Sequence, residues 1–281
     1  MKQKYFRLLI NFFTLCLITT YIHADEPSGP IKILPLGDSI TSGWILADED
    51  NPRPFSIRTA YRNHLWYILG DASFSANFVG SQVAGQAITP PFDPNYEGYQ
   101  GWQSHDIAEF TYGFMQNNAP DMVLLHVGTN DLGTSIAGVA SILNEINQYE
   151  RESGRSVRVL VAKIIDNASP NSIIAGFNAN LQDLVTSRIL DGDNITLVNM
   201  YTGAGLVGSD YTDRLHLNNS GNYKMASVWS NAIMAPYKHN PALATFPTTI
   251  VPKGFIDSVY IDSATDTIVF TTAVPATGIT F

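Results

Sequence analysis

From Ile31 to about Tyr237, short apolar runs alternate with longer stretches of helical periodicity. No other feature limits the fold so strongly. Residues 31–36, 77–81, 122–127, 157–165 and 195–200 read as strands. Their near-continuous apolar character is that of strands covered on both faces. Residues 57–69, 136–152, 172–190 and about 219–234 read as helices. The apolar positions Ile136, Val139, Ala140, Leu143, Ile146 and Tyr149 recur at helical spacing, and Gly70 is placed to end the first helix. This alternation predicts an α/β domain with a mainly parallel sheet and helices on both faces. In such folds ligands bind at the carboxyl ends of the strands.

The two ends of the chain differ from this middle. Lys2, Lys4 and Arg7 precede an apolar stretch from Leu8 to Ile22, and Ala24 closes it. A basic start, a short apolar core and a small residue read as a secretory signal peptide over residues 1–24, too short for a convincing membrane span. Cys16, the only cysteine, lies inside it. The exported protein is thus expected to lack thiols and disulfides, which excludes a cysteine nucleophile and a thiolate metal site. The chain carries 16 basic and 25 acidic residues; three of the basic ones lie in the leader, leaving 13 against 25, a balance of −12. That balance argues against nucleic acid or an anionic membrane as partner and suits a neutral substrate. Residues 25–237 form the expected α/β domain and 238–254 a Pro-containing linker. Residues 255–281 form a β-rich segment, with strands at Ser258–Asp262 and Thr267–Thr271, that packs on the domain or begins an accessory module.

Three polar islands sit at or soon after strand ends. The first is Gly37-Asp38-Ser39, where a serine between a strand and a helix has backbone N–H groups near any developing oxyanion. Asp38 or Ser39 acting only as a helix cap is the competing reading. The second is Gly128-Thr129-Asn130-Asp131, in which Asn130 offers an amide donor and Asp131 buttresses the loop. The third is Asp213-Arg214-Leu215-His216. Its spacing can bring a carboxylate onto one ring nitrogen of His216 and leave the other for a serine. Between the first two lies Glu97-Gly-Tyr-Gln-Gly101-Trp102, where Gly101 would let a backbone N–H approach a reacting carbonyl.

Taken together and in order, these blocks resemble the GDSL/SGNH hydrolase superfamily. The resemblance runs from about Ile31 to Tyr237. Leu36-Gly-Asp-Ser-Ile-Thr, Ala60-Tyr-Arg, Asn77-Phe-Val-Gly-Ser, Glu97-Gly-Tyr-Gln-Gly-Trp and Pro120 to Leu132 are most similar to carbohydrate esterase family 3. It implies a three-layer α/β/α, flavodoxin-like fold and a serine esterase that removes acetyl groups from xylan or a related polysaccharide. By that resemblance Ser39, Asp213 and His216 are catalytic, and Ser39, Gly101 and Asn130 form the oxyanion hole. Gln100, Arg214 and Leu217 depart from the family pattern, where serine, glycine and proline are usual. Trp44, Tyr99 and Trp102 are candidates for a sugar-stacking wall.

The remaining histidines read as structural: His64 on a helix, His126 in the core, His105 at the surface, His23 in the leader and His239 in the linker. Their spacing is not that of a metal site, so no metal and no cofactor is expected. The expected partner is an acetylated polysaccharide or another small acyl ester, outside the cell. Two alternatives stay open: another acylhydrolase of the same scaffold, acting on lipid, thioester or peptidoglycan esters, and a catalytically silent carbohydrate-binding protein. The sequence leaves the oligomeric state open.

Overall fold

A computed structural model describes residues 29–236, 256–262 and 267–272. The leader with Cys16, the whole of the expected linker 238–254, and the loop between the two C-terminal strands lie outside these residues.

The chain order is β1 (Ile31–Gly37), α1 (Ser39–Ser42), α2 (Arg62–Asp71), β2 (Ala76–Phe78), β3 (Gln82–Val83), β4 (Asn95–Gly98), α3 (Ser104–Asn118), β5 (Met122–His126), α4 (Ala137–Ser153), β6 (Arg158–Ala162), α5 (Ser172–Leu190), β7 (Ile195–Val198), α6 (Met200–Gly203) and α7 (Asn219–Met234). Two further strands, β8 (Ile256–Asp262) and β9 (Thr267–Thr272), pair antiparallel with each other.

The sheet order is β3-β4-β1-β5-β6-β7. β1 pairs in parallel with β5, β5 with β6, and β6 with β7. On its other edge β1 takes two partners in succession: β2 along Ile31–Ile33, then β4 along Leu36–Gly37. Only β3 runs antiparallel in this sheet, against β4.

Strand alternation divides the core into two layers. Leu34, Leu36, Val123, Leu125, Val159 and Val161 face one side, where they meet Ile107, Val139, Ile142, Phe177 and Leu181 of α3, α4 and α5. Ile33, Leu124, Leu160 and Ala162 face the other side, with Leu65 and Leu69 of α2 and Met225, Trp229 and Ile233 of α7. Burying one aliphatic side chain of this size is worth about 1.5–3 kcal/mol. This is the expected three-layer α/β/α sandwich.

Several boundaries differ from the sequence reading. The predicted helix 57–69 begins only at Arg62, because Ala60 adopts φ 51° and breaks the helical path. Gly70 does not end it; the chain leaves after Asp71 and turns at Ser73, φ 57°. The predicted strand 157–165 leaves the ladder after Ala162: the N–H groups of Ile164 and Ile165 turn to the Asn178 Oδ1 and His126 Nε2 atoms. The 77–81 strand shortens to β2, ending at Phe78. Helix α3 and strands β3 and β4 have no counterpart in the sequence reading.

Arg62 is fully buried at the start of α2, stacked over the Tyr96 ring at 3.9 Å. Its guanidinium donates to the carbonyls of Thr41, Pro94 and Arg58. It thereby ties α1 to the segment leading into β4, the two pieces of chain that carry Ser39 and Gly101. Burial lowers its pKa to about 10, which leaves it charged at neutral pH.

Candidate active site

Gly37, the last residue of β1, has no room for a side chain. A Cβ would lie 2.2 Å from the His126 carbonyl oxygen of β5. The chain turns into α1, with the Asp38 carboxylate accepting from the Ile40 N–H at 2.9 Å. Asp38 therefore does cap a helix, and the cap sets Ser39 at the first helical position.

The third island lies in the loop before α7. Asp213 Oδ1 accepts from the N–H groups of Leu215 and His216, both at 2.8 Å, so the aspartate closes its own turn. The same carboxylate faces His216 Nδ1, with Oδ2 at 2.9 Å. His216 Nε2 lies 3.0 Å from Ser39 Oγ. Ser39, His216 and Asp213, 177 residues apart at the extremes of the sheet's chain path, thus form one hydrogen-bonded line. His216 is buried, and the Trp44 ring stands edge-on to it at 5.1 Å.

Burial would raise the Asp213 carboxyl, but the N–H groups of Leu46, Leu215 and His216, with the His216 ring, outweigh it and hold its pKa below the usual carboxylate range. Leu46 N–H reaches Asp213 Oδ2 at 2.9 Å. That contact ties the segment after α1 to the acid, and sequence spacing gives no hint of it. The segment is itself fastened: buried Asp48 accepts from Arg53 Nε at 2.9 Å, and Arg53 also donates to the Gly43 carbonyl at 2.8 Å.

Gly101 and Asn130 belong to two loops that are locked together. Asn130 Nδ2 donates to the Trp102 carbonyl at 2.9 Å. Asp131 accepts from both the N–H and the hydroxyl of Ser104, at 2.7 and 2.5 Å. Gly101 has φ 75°, the left-handed region that favours glycine. Gly128 has φ 125°, and a Cβ there would meet the Phe177 ring at 2.3 Å. Buried Glu97 organises the first of these loops. It accepts from the N–H and hydroxyl of Ser81 and from the Tyr99 hydroxyl.

Two cavities meet at Ser39, Trp44 and His216. One also takes in Gln100, Gly101, Asn130, Asp213 and Arg214. The other is bounded by Arg53, Thr59, Thr212 and the start of α7. Of the three aromatic candidates, Trp44 lines both cavities. Tyr99 and Trp102 line neither. They stack on each other at 4.1 Å and continue onto Phe114 and Phe110 of α3. Gln100 and Arg214, which depart from the family pattern, both border the cavity that holds Gly101 and Asn130. Leu217 is buried and packs in the α2–α7 core.

The other histidines among the described residues, His64, His105 and His126, line neither cavity. His126 is fully buried in β5 and accepts from the Ile165 N–H through Nε2 at 3.2 Å. Burial lowers its pKa to about 4, so it is neutral. His64 Nε2 meets Asn219 Oδ1 at 2.9 Å, and His105 pairs with Asp106 at the surface. Among the described residues, no group of three His, Cys, Asp or Glu side chains is placed to hold a metal ion. No helix among them is long and apolar enough to cross a membrane.

Asp38 makes a pH-dependent contribution to stability. Burial raises its carboxyl from 3.8 to about 7, although the N–H of Ile40 and the hydroxyl and N–H of Thr129 pull the other way. Its Oδ2 is buried and makes no hydrogen bond among the described residues. Between pH 4 and 7 the folded protein therefore holds a proton that the unfolded chain has lost. Stability falls as pH rises through this window and levels off above it. The loss should be roughly 4 kcal/mol. Asp38→Asn keeps an acceptor for Ile40 and removes the titration. Its thermal midpoint should vary less than that of the wild type between pH 5 and 8; parallel curves would contradict the assignment.

The family model described as GDSL-like Lipase/Acylhydrolase matches residues 33–229. A multidomain esterase of Ruminococcus flavefaciens is 27% identical over 256 residues, which cover 80% of this chain and 31% of that protein. The chain thus spans about a third of the length of that curated relative. Among solved structures, a carbohydrate esterase family 3 protein from Talaromyces cellulolyticus is 27% identical, with a TM-score of 0.59 over 74% of this chain and 98% of its own. A Clostridium thermocellum family 3 carbohydrate esterase is 27% identical, with a TM-score of 0.57 over 71% and 93%. An acetyl esterase mutant solved with an acetate ion is 26% identical, with a TM-score of 0.58 over 74% and 98%. The match of the family model over most of the chain agrees with the fold and with the order of the polar islands: the chain belongs to the GDSL-like lipase/acylhydrolase family, the SGNH hydrolases.

Proposed function

We propose that this protein is an exported serine esterase of short acyl esters, removing acetyl groups from xylan or a related polysaccharide. The observation that carries the esterase reading is the line from Ser39 Oγ through His216 to Asp213. Ser39 Oγ attacks the ester carbonyl while His216 Nε2 takes its proton. Asp213 fixes the ring with Nδ1 protonated and stabilises the imidazolium that forms. The carbonyl oxygen becomes an oxyanion held by the N–H groups of Ser39 and Gly101 and the Asn130 amide. One amide hydrogen of Asn130 is spent on Trp102; the other is left for this role. His216 returns the proton to the leaving oxygen, and water cleaves the acyl-enzyme by the reverse path.

Likeness to family 3 carbohydrate esterases over nearly their full length supports a carbohydrate ester as substrate. The acetyl esterase solved with acetate supports a short acyl group. Export rests on the basic and apolar leader, residues 1–24. Acetate release from a panel of acetylated polysaccharides tests the reading. Release from acetylated xylan is expected; a preference for long-chain esters would overturn it. Asn130→Ala should cost about 10²–10³-fold in kcat on any acetyl ester, and an unchanged kcat would leave Asn130 as loop architecture alone.

A further inference from the structure

The two cavities that meet at Ser39 and His216 differ in chemistry. One contains the groups assigned to the oxyanion, Gly101 and Asn130, and has Glu49 and Arg214 in its lining. The other, about 300 Å³, is a small-ligand-sized space that contains neither Gly101 nor Asn130. Its one cationic lining side chain, Arg53, is spent on Asp48 and the Gly43 carbonyl. That leaves uncharged groups. The hydroxyls of Thr59 and Thr212 make no hydrogen bond among the described residues. Asn219 uses only Oδ1, on His64, and Asn222 only Nδ2, on the Leu217 carbonyl. Asn219 Nδ2 and Asn222 Oδ1 therefore remain as a donor and an acceptor beside two hydroxyls, with the Trp44 ring as an apolar wall.

We propose that this second cavity is the subsite for the alcohol half of the ester, and that it takes a neutral polyhydroxylated ring. The inference rests on the serine-esterase reading of Ser39 and His216. The leaving oxygen must lie at His216 Nε2 to receive the proton, so the alcohol extends into space that His216 borders and that Gly101 and Asn130, which draw the carbonyl oxygen to the first cavity, do not. An alkyl chain filling that space would strip the water from four unspent hydrogen-bonding groups and give them no partner in return, which costs affinity. A polyol satisfies them, and the lining offers no free charge for an ionic ligand.

Acyl transfer tests the subsite, because the site that releases the alcohol also accepts one. The acetyl-enzyme forms from 4-nitrophenyl acetate. An added alcohol then attacks its carbonyl, His216 takes the hydroxyl proton, the bond to Ser39 Oγ breaks and the serine recovers the proton. The product is the acetylated alcohol. Methyl β-xyloside and cyclohexanol, similar in size and different in hydroxylation, compete at equal concentration. The wild type is expected to favour the xyloside. Asn219→Ala with Thr59→Val should reduce that preference about tenfold, as lost hydrogen bonds to a buried ligand do. The readout is a ratio within each variant, so changes in overall rate cancel. Equal transfer to both alcohols by the wild type, or a preference that survives the substitutions, overturns the subsite. Absence of any 4-nitrophenyl acetate turnover by the wild type instead overturns the esterase reading on which it rests, and the subsite falls with it.

Discussion

Ser39→Ala is expected to lower kcat/KM for an acetyl ester by about 10⁴–10⁶-fold, with the thermal midpoint nearly unchanged. The size follows from the chemistry: without Oγ there is no acyl-enzyme, and what is left is the modest help of the oxyanion donors to direct attack by water. The small structural effect follows from the contacts. Ser39 Oγ meets only the His216 ring in the described structure, and the helix cap at this turn is supplied by Asp38. Circular dichroism and ester hydrolysis on the same sample separate the two. Activity within tenfold of the wild type would remove Ser39 from the chemistry.

Asp213→Asn should cost about 10⁴-fold in kcat. The aspartate accepts four kinds of hydrogen bond: from the N–H groups of Leu46, Leu215 and His216, and from His216 Nδ1. An asparagine has one acceptor oxygen and must turn an NH₂ group toward a donor. If the oxygen keeps the turn at Leu215 and His216, the NH₂ opposes the Leu46 N–H and competes for Nδ1. The ring then tends to carry its proton on Nε2, where it cannot accept from Ser39. The signature is a fall in kcat with KM little changed, because the groups lining the two cavities stay in place. A proportional rise in KM with kcat preserved would instead mark Asp213 as a purely structural residue of the loop.

How far the sequence carried the account depends on the range of the interactions. Apolar runs with strong periodicity, β1, β5, α4, α5 and α7, were legible because their burial is written in consecutive residues. β4 was not, since Asn95–Gly98 is a short polar-looking segment. It becomes a strand because Leu36 and Gly37 of β1 pair with one of its edges and Gln82 and Val83 of β3 with the other. Helix α3 carried a usable signal: Ile107, Ala108, Thr111 and Met115 lie on its buried face. The aromatic residues between them, Phe110 and Phe114, obscured that spacing by packing sideways on Trp102 and Tyr99. The same sideways packing takes Tyr99 and Trp102 out of the cavity walls.

The site divides in the same way. Asp213 and His216 lie within one turn, so their contact follows from local geometry. Ser39 is placed by the parallel sheet, which brings the end of β1 beside the loop that precedes α7. The contacts that hold the loops, Leu46 N–H on Asp213, Arg62 on the carbonyls of Thr41, Ala84 and Pro94, and Asp131 on Ser104, join residues 21 to 167 positions apart. No spacing rule reaches them.

The central claim is that His216 and Asp213 activate Ser39 as the nucleophile. The most direct measurement is peptide mapping by mass spectrometry after reaction with a fluorophosphonate, which phosphonylates an activated serine irreversibly. The account predicts a single adduct on the peptide containing Ser39, formed in step with loss of esterase activity and absent from His216→Ala. Inhibition accompanied by an adduct on another serine, or equal labelling of Ser39 without His216, would contradict it.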